Sequence, residues 1–170
     1  MSKEDKNRLM DINNSLTNPF DINVRVQYIS KDSGAEGVQL GTYGTIKGAK
    51  DYLAITVKDE PFAMEAVGYQ FENLVLHTTQ MGLGTVWLAA TFSRKDFEKA
   101  MEISSDDLFP CISPIGYLAE KKSLVEKLTR VGLGSKNRKA WDKVFYSNDF
   151  AHPLSKNDAG AYEQSLEMLR

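Results

Sequence analysis

The stretch YQFENLVLHTTQMGLGTVWLAATF, residues 69–92, contains the features that decide the fold: a long apolar helix and the segment that follows it. Apolar residues recur every three or four positions between residues 62 and 80, and others fall on the remaining sides. This pattern predicts a helix that ends near Met81 and is buried nearly all round. Gly82 ends it, because glycine tolerates the left-handed conformation of a helix C-cap. We expect this helix to be the centre of the fold.

A second apolar run, YLAITV at residues 52–57, precedes the helix and is bounded by charged residues. Continuous apolar character over this length predicts a central strand that is buried on both faces. The sequence DEP at 59–61 suits a helix N-terminus. The helix dipole favours acidic residues there, and the backbone N–H that proline lacks has no partner in the first turn of a helix. Upstream, apolar and polar residues alternate at 22–28, which predicts a half-buried strand. Apolar residues at helical spacing within 3–16 predict an amphipathic helix.

Downstream of residue 92 the elements are shorter. Ser93 and Asp96 form a capping pair for a helix. Pro110 and Pro114 restrict pairing and favour an edge strand or a short strand around 112–115. Three further short helices are predicted around 124–128, at 141–145 with a cap near Ser135 or Asn137, and from a cap at Asn157-Asp158 to the end of the chain. Residues 1–170 are therefore predicted to form a single α+β domain.

The composition excludes several classes of protein. Lys and Arg total 21 against 23 Asp and Glu, so the basic excess that nucleic-acid binding needs is absent, and we expect no nucleic-acid partner. One cysteine and two histidines cannot form an internal disulfide or a metal site with several thiolate or imidazole ligands. This usage is typical of a reduced, cytoplasmic compartment. The longest apolar stretch, 86–92, is too short to span a bilayer, so we expect no signal peptide and no membrane partner.

Few residues are candidates for chemistry on their own. The glycine-rich sequence GTYGTIKGA at 41–49 could cradle a phosphate, but it lacks the Lys-Ser/Thr ending of a P-loop. A hydrolase could use His152 or Cys111, although a loop histidine and a small buried filler are the simpler interpretations. The basic pairs at 121–122 and 138–139 are typical of solvated surface, unless an anionic cofactor needs them. We assign no catalytic residue and no metal ligand.

Three stretches together resemble the FMN-dependent nitroreductase family, and most closely the subfamily labelled "putative nitroreductase". The first is the quoted stretch at 69–92, with its Gly-Leu-Gly-Thr, tryptophan and pair of small residues. The others are CISPIGYLAEKKS at 111–123 and NRKAWDKVFY at 137–146. The resemblance covers roughly residues 40–150. It implies a nitroreductase-like α+β fold in which long helices pack on a central mixed sheet.

The resemblance also implies a function. Members of the family take hydride from NAD(P)H onto FMN and pass electrons to small-molecule acceptors such as nitroaromatics or quinones, usually as homodimers with FMN at the subunit interface. Carried over by position, four residues resemble the backbone wall that faces the flavin ring, namely Trp87, Leu88, Ala89 and Ala90. Arg138 and Lys139 resemble the contacts to the phosphate or the ribityl chain.

This sequence departs from the family pattern in three places. An Arg-Arg-Ser-x-Arg motif that holds the FMN phosphate is absent, as is an Ala-Pro-Ser segment that lines the flavin. Ala89-Ala90 stands where many members have Gly-Gly. We therefore expect the chain to be incomplete at both ends relative to the family. An alternative hypothesis is a nitroreductase-like domain that has lost the flavin and serves as a binding or interaction module.

Overall fold

The computed structural model describes residues 1–31, 40–44, 46–101, 103–119 and 137–170. The chain divides into two compact units, Met1–Lys121 and Lys122–Arg170. The helix expected around 124–128 and the cap at Ser135 lie outside the described residues. A single domain over 1–170 stays a prediction.

The first unit is an α+β fold built on a four-stranded sheet. Its strands, in the spatial order β1-β2-β4-β3, are β1 (Arg25–Ser30), β2 (Asp51–Lys58), β4 (Asp107–Tyr117) and β3 (Leu83–Thr85). Its helices are α1 (Lys3–Ser15), α2 (Ala63–Gln80) and α3 (Arg94–Ala100). The predicted α+β class is confirmed, and the N-terminal helix, the apolar strand and the long helix form close to their expected positions. No helix in the described ranges has the length and apolar character needed to cross a bilayer.

The described sheet is antiparallel at every pairing, whereas a mixed sheet was expected. The physical reason is the position of β4. Strands β2 and β3 are joined through α2 and run in the same direction, yet they do not pair with each other. Strand β4 lies between them and runs opposite to both.

Strand β2 is buried on both faces, as its continuous apolar sequence predicts. Side chains alternate along a strand, so Leu53 and Ile55 pack in a cluster with Phe71 of α2. Tyr52 and Ala54 point the other way, into a second cluster that contains Phe97 of α3. The two apolar layers of the unit are therefore formed on opposite faces of one strand.

Strand β4 corrects the prediction of an edge strand or a short strand at 112–115. It is long and central, and its two prolines occupy positions where their missing N–H groups are tolerated. Pro110 lies at a β-bulge, where the pairing register shifts between Ile55 and Val57. Pro114 lies beyond the end of the β3 ladder, which stops at Ile115.

Helix α2 is amphipathic and not buried all round. Phe71 and Leu74 are fully buried, but three apolar residues at seven-residue spacing are exposed, namely Phe62 (61%), Tyr69 (53%) and Leu76 (57%). The helix begins at Ala63, two residues after Pro61, because Phe62 takes a left-handed conformation with φ 66°. At the other end Gly82 has φ 74°, as expected of a C-cap glycine.

The second unit is described from residue 137 onward. It contains a 3-10 turn at Trp141–Lys143, a short helix α4 (Lys156–Ala159) and a C-terminal helix α5 (Glu163–Leu169). The indole Nε1 of Trp141 donates to the carbonyl oxygen of Leu154 at 2.6 Å. The cap of α4 is Ser155, whose hydroxyl accepts from the amide of Asp158, and not the expected Asn157-Asp158 pair. The helix predicted at 141–145 is thus a single 3-10 turn.

Candidate functional site

Residues 87–90, the segment expected to face a flavin ring, follow β3 and are tied to β4 by their backbone. Leu88 is buried and exchanges two main-chain hydrogen bonds with Ile112, its amide donating to the Ile112 oxygen and its oxygen accepting from the Ile112 amide, both at 2.9 Å. Leu88 therefore fixes the middle of segment 87–90 against the central sheet.

Ser113 supports the chain just before this segment. The backbone nitrogens of successive residues in an antiparallel strand point to opposite sides, so those of Ile112 and Pro114 point to the same side of β4. On that side Ile112 pairs with Leu88, and Pro114 lies in the gap between Leu88 and the end of β3. The Val86 amide on that side donates instead to the Ser113 hydroxyl at 3.1 Å. Ser113 is fully buried, and its hydroxyl donates its own proton to the Pro114 carbonyl at 2.9 Å.

We expect Ser113→Ala to lower the free energy of unfolding by about 1–3 kcal/mol, because the part-buried Val86 amide loses its acceptor. Urea denaturation of the purified protein measures this loss. Ser105→Ala is the control, since Ser105 is exposed and its hydroxyl donates to its neighbour Asp106. Indistinguishable midpoints for the two variants would contradict this role of Ser113.

Trp87 is held on the surface by two residues of α2. Its ring meets the Phe71 ring edge-on, with 4.6 Å between centroids and an interplanar angle of 71°. Its indole Nε1 donates to the Glu72 carboxylate at 3.0 Å. The side chain stays 40% exposed. Trp87 thus presents part of its indole to solvent from a defined orientation.

Ala89 and Ala90 form the open end of the segment. Both are exposed, and among the residues that the structure describes no group accepts a hydrogen bond from either amide. Small side chains let a flat ligand approach the backbone closely, and free amides can donate to acceptor atoms at its edge. This end of the segment therefore fits the polar edge of a flavin ring.

Arg138 and Lys139 belong to the second unit, whereas residues 87–90 belong to the first, so their assembly into one site stays a prediction. The Arg138 guanidinium donates to the Glu167 carbonyl oxygen at 3.3 Å. Arg138 borders an open cleft that Glu163 and Glu167 also line. Lys139 is exposed, and its main-chain carbonyl oxygen accepts a hydrogen bond from the Arg170 guanidinium at 2.8 Å. Lys139 is therefore the more available cation for an anionic group.

His152 and Cys111 have surroundings that explain them without catalysis. The imidazole Nδ1 of His152 lies 2.7 Å from an Asp149 carboxylate oxygen in an exposed loop, and this hydrogen bond lowers the pKa of Asp149. Cys111 is buried in β4, and burial raises the pKa of its thiol to about 11. Within the described ranges, no group of three or more metal-ligating side chains comes together.

We expect Cys111 to react with iodoacetamide at pH 8 about a hundredfold more slowly in the native protein than in the unfolded chain. A thiol pKa of about 11 leaves roughly a hundredth of the thiolate that an ordinary cysteine has at that pH. Mass spectrometry of quenched samples gives both rates. Equal rates would restore Cys111 as a candidate nucleophile.

The glycine-rich stretch near residue 41 forms a small polar cleft with the start of α3. Its described lining includes Lys31, Thr42, Ser93 and Asp96. The Thr42 hydroxyl accepts from the Ile46 amide, and the Ser93 hydroxyl donates to Asp96 at 2.5 Å. The Thr42 and Ser93 hydroxyls thus already bond within the protein, and the Asp96 carboxylate lies in the same lining, so the cleft does not fit a phosphate.

Comparison with known proteins supports the resemblance drawn from the sequence. The family model described as "Putative TM nitroreductase" matches residues 1–157. No curated protein matches the sequence.

Three solved structures illustrate the shared fold. An oxidoreductase containing FMN superimposes with a TM-score of 0.62 at 15% identity, covering 88% of this chain and 83% of that one. An FMN-dependent nitroreductase from Clostridium difficile R20291 gives 0.57 at 18% identity, over 72% and 79%. Iodotyrosine deiodinase bound to FMN and 3-iodo-L-tyrosine gives 0.53 at 18% identity, over 72% and 82%. The chain is similar to all three in fold.

Proposed function

Because this chain belongs to the nitroreductase family whose model matches residues 1–157, we propose that it is an FMN-dependent oxidoreductase. It takes electrons from NAD(P)H and reduces a small-molecule acceptor such as a nitroaromatic or a quinone. The observation that carries this proposal is segment 87–90, which is fixed to the central sheet at Leu88 and in which the amides of the exposed Ala89 and Ala90 have no acceptor among the described residues. The similar oxidoreductase contains FMN and the similar nitroreductase is FMN-dependent, which supports the choice of cofactor.

The chemistry asks little of the protein's own side chains. FMN, when bound, accepts a hydride from NAD(P)H and passes electrons to the acceptor. The chain's part is to hold the ring beside Trp87, to donate from the amides of Ala89 and Ala90 to its polar edge, and to neutralise the phosphate with Lys139 and Arg138. This division of labour requires no protein nucleophile.

We expect Arg138→Ala and Lys139→Ala to weaken FMN much more than riboflavin, because only FMN carries the phosphate that these cations recognise. Loss of a charge-assisted hydrogen bond, about 1.5–3 kcal/mol, corresponds to roughly ten- to a hundredfold in Kd. Titration followed by quenching of flavin fluorescence measures both ligands. Equal losses for FMN and riboflavin would show that these residues do not hold the phosphate.

Ala90→Val is the matched control for the ring side of the site. The exposed Ala90 methyl borders the open end of the segment, so a larger side chain obstructs the ring and leaves the phosphate untouched. We therefore expect it to weaken FMN and riboflavin alike.

The proposed enzyme is a homodimer, and α2 supplies the surface. Tyr69 and Leu76 are seven residues apart on α2 and both are exposed, so they form one apolar stripe along the helix. A twofold dimer uses the same patch of both copies, and two such stripes can pack against each other. Aromatic residues like Tyr69 are enriched at protein interfaces.

A flavin-free interaction module is the second candidate function. It is favoured by the state of Arg138, whose guanidinium already donates to the Glu167 carbonyl oxygen, in a cleft that Glu163 and Glu167 also line. The absorbance spectrum of the purified protein separates the two candidates. Flavin bands that heat releases as FMN support the oxidoreductase. A protein that binds neither FMN nor riboflavin in a millimolar titration is the interaction module.

A further inference from the structure

Glu72 and Trp87 form a contact that the function proposed above leaves unused. Glu72 is an exposed residue of α2, and its carboxylate accepts from the Trp87 indole at 3.0 Å. A hydrogen bond between two exposed side chains adds little to stability, because water can replace either partner. Its effect is to select one orientation of the indole.

Phe71 alone does not define that orientation. The fully buried Phe71 ring touches the indole edge-on and restrains the ring plane from one side. Trp87 stays 40% exposed, so rotation about its side-chain bonds could keep an apolar contact with Phe71 while moving the indole nitrogen. The Glu72 carboxylate fixes the nitrogen and therefore the rotamer.

The orientation of Trp87 bears directly on its neighbours. Leu88 is tied to β4 on one side of the segment, while Ala89 and Ala90 have no side chain long enough to anchor them. Trp87 precedes Ala89 and Ala90 by two and three positions in the same segment, and all three residues are exposed. A fixed indole thus pre-organises one border of the surface that segment 87–90 presents, and pre-organisation lowers the cost of binding.

We propose that Glu72 is a positioning residue for the flavin site: it orients Trp87, and through Trp87 it shapes the face that segment 87–90 offers to the ring. This inference rests on the proposed FMN-dependent function. Glu72 itself touches neither the ring nor the reacting atoms in this assignment.

The test uses the two tryptophans of the chain as reporters. Protein labelled with 5-fluorotryptophan gives two ¹⁹F resonances, because the sequence contains only Trp87 and Trp141, and Trp87→Phe assigns them. Glu72→Ala should shift the Trp87 resonance by more than its linewidth and leave the Trp141 resonance in place. Glu72→Gln keeps a carbonyl acceptor and should restore the wild-type shift. Glu65→Ala, exposed on the same side of α2 one heptad earlier, is the control and should move neither resonance.

Flavin titration provides the second readout. We expect Glu72→Ala to weaken FMN and riboflavin about tenfold each, since the ring face is common to both, and Glu72→Gln to restore their binding. Light scattering measures the oligomeric state of every variant. A change in flavin affinity without a change in oligomeric state is then an effect on the flavin site itself. An unchanged Trp87 resonance in Glu72→Ala overturns the inference, as does equal weakening by Gln and Ala, which would indicate charge and not positioning.

The two levels of the hypothesis fail in different ways. If the wild-type protein binds no flavin, the proposed function fails, while the ¹⁹F shifts still decide whether Glu72 orients Trp87. If the wild type binds FMN and Glu72→Ala binds it equally well despite a shifted Trp87 resonance, the function stands and the positioning role is wrong.

Discussion

Leu74→Ala is expected to lower the free energy of unfolding by about 2–5 kcal/mol. Leu74 is fully buried on the sheet side of α2, in the cluster with Leu53, Ile55 and Phe71. Truncation to alanine removes the transfer free energy of three carbon atoms and leaves a cavity that a packed layer cannot fully close. Urea or thermal denaturation followed by circular dichroism measures the loss.

Glu98→Ala is the matched control. Glu98 is exposed on α3, and surface substitutions of this kind usually stay within about 0.5 kcal/mol. Equal unfolding midpoints for the two variants would mean that α2 does not pack on the sheet as described.

The double variant Tyr69→Ala/Leu76→Ala should dissociate the proposed homodimer. Both side chains lie on the exposed apolar stripe of α2, and truncation of an interface hot spot costs about 2 kcal/mol or more. Because a twofold dimer carries each substitution in both copies, four side chains are lost, and their sum of about 8 kcal/mol corresponds to roughly a millionfold in the dimer dissociation constant. Sedimentation velocity over a concentration series should show wild-type dimer and variant monomer at micromolar concentration.

Met64→Ala controls for the loss of apolar surface itself. Met64 is also exposed on α2, at 53%, but at helical spacing it falls outside the stripe of Tyr69 and Leu76. It should leave the dimer intact. A wild-type protein that sediments as a 19 kDa monomer at these concentrations would rule the homodimer out.

The strands and helices with a strong periodic signal could be predicted from the sequence. The apolar run at 52–57 became the buried strand β2, and the helix ending at Gly82 became α2. The exposed side of α2 could not be predicted. A residue such as Leu76 has the same pattern whether it faces the core of its own chain or the surface of another.

Strand β4 shows a second limit of sequence interpretation. Proline removes a donor, and the usual consequence is exclusion from a central strand. Here the register shift beside Pro110 and the gap beside Pro114 remove the need for those donors. Both depend on which strands lie on either side, and this is a tertiary property. The serine immediately before Pro114 was the available signal, because its hydroxyl supplies an acceptor to the Val86 amide.

The candidate site was predicted only where a resemblance covered it. Residues 87–90 came from the family pattern, and their assignment to a flavin site stays a prediction. Nothing in the sequence indicated a role for Glu72, because it lies fifteen positions before Trp87 on a helix rich in polar exposed residues. Only the approach of α2 to the segment after β3 brings the carboxylate to the indole.

The spatial order of the sheet also governs how the chain can be made. Strand β2 is apolar on both faces, yet its partner β4 is synthesised only after α2, β3 and α3 have left the ribosome. Until then β2 has β1 alone as a paired neighbour, and its opposite edge is open. Long-range pairing of this kind is slow and leaves an aggregation-prone edge during synthesis. Newly made chains should therefore depend on chaperones until residue 117 is available to close the sheet.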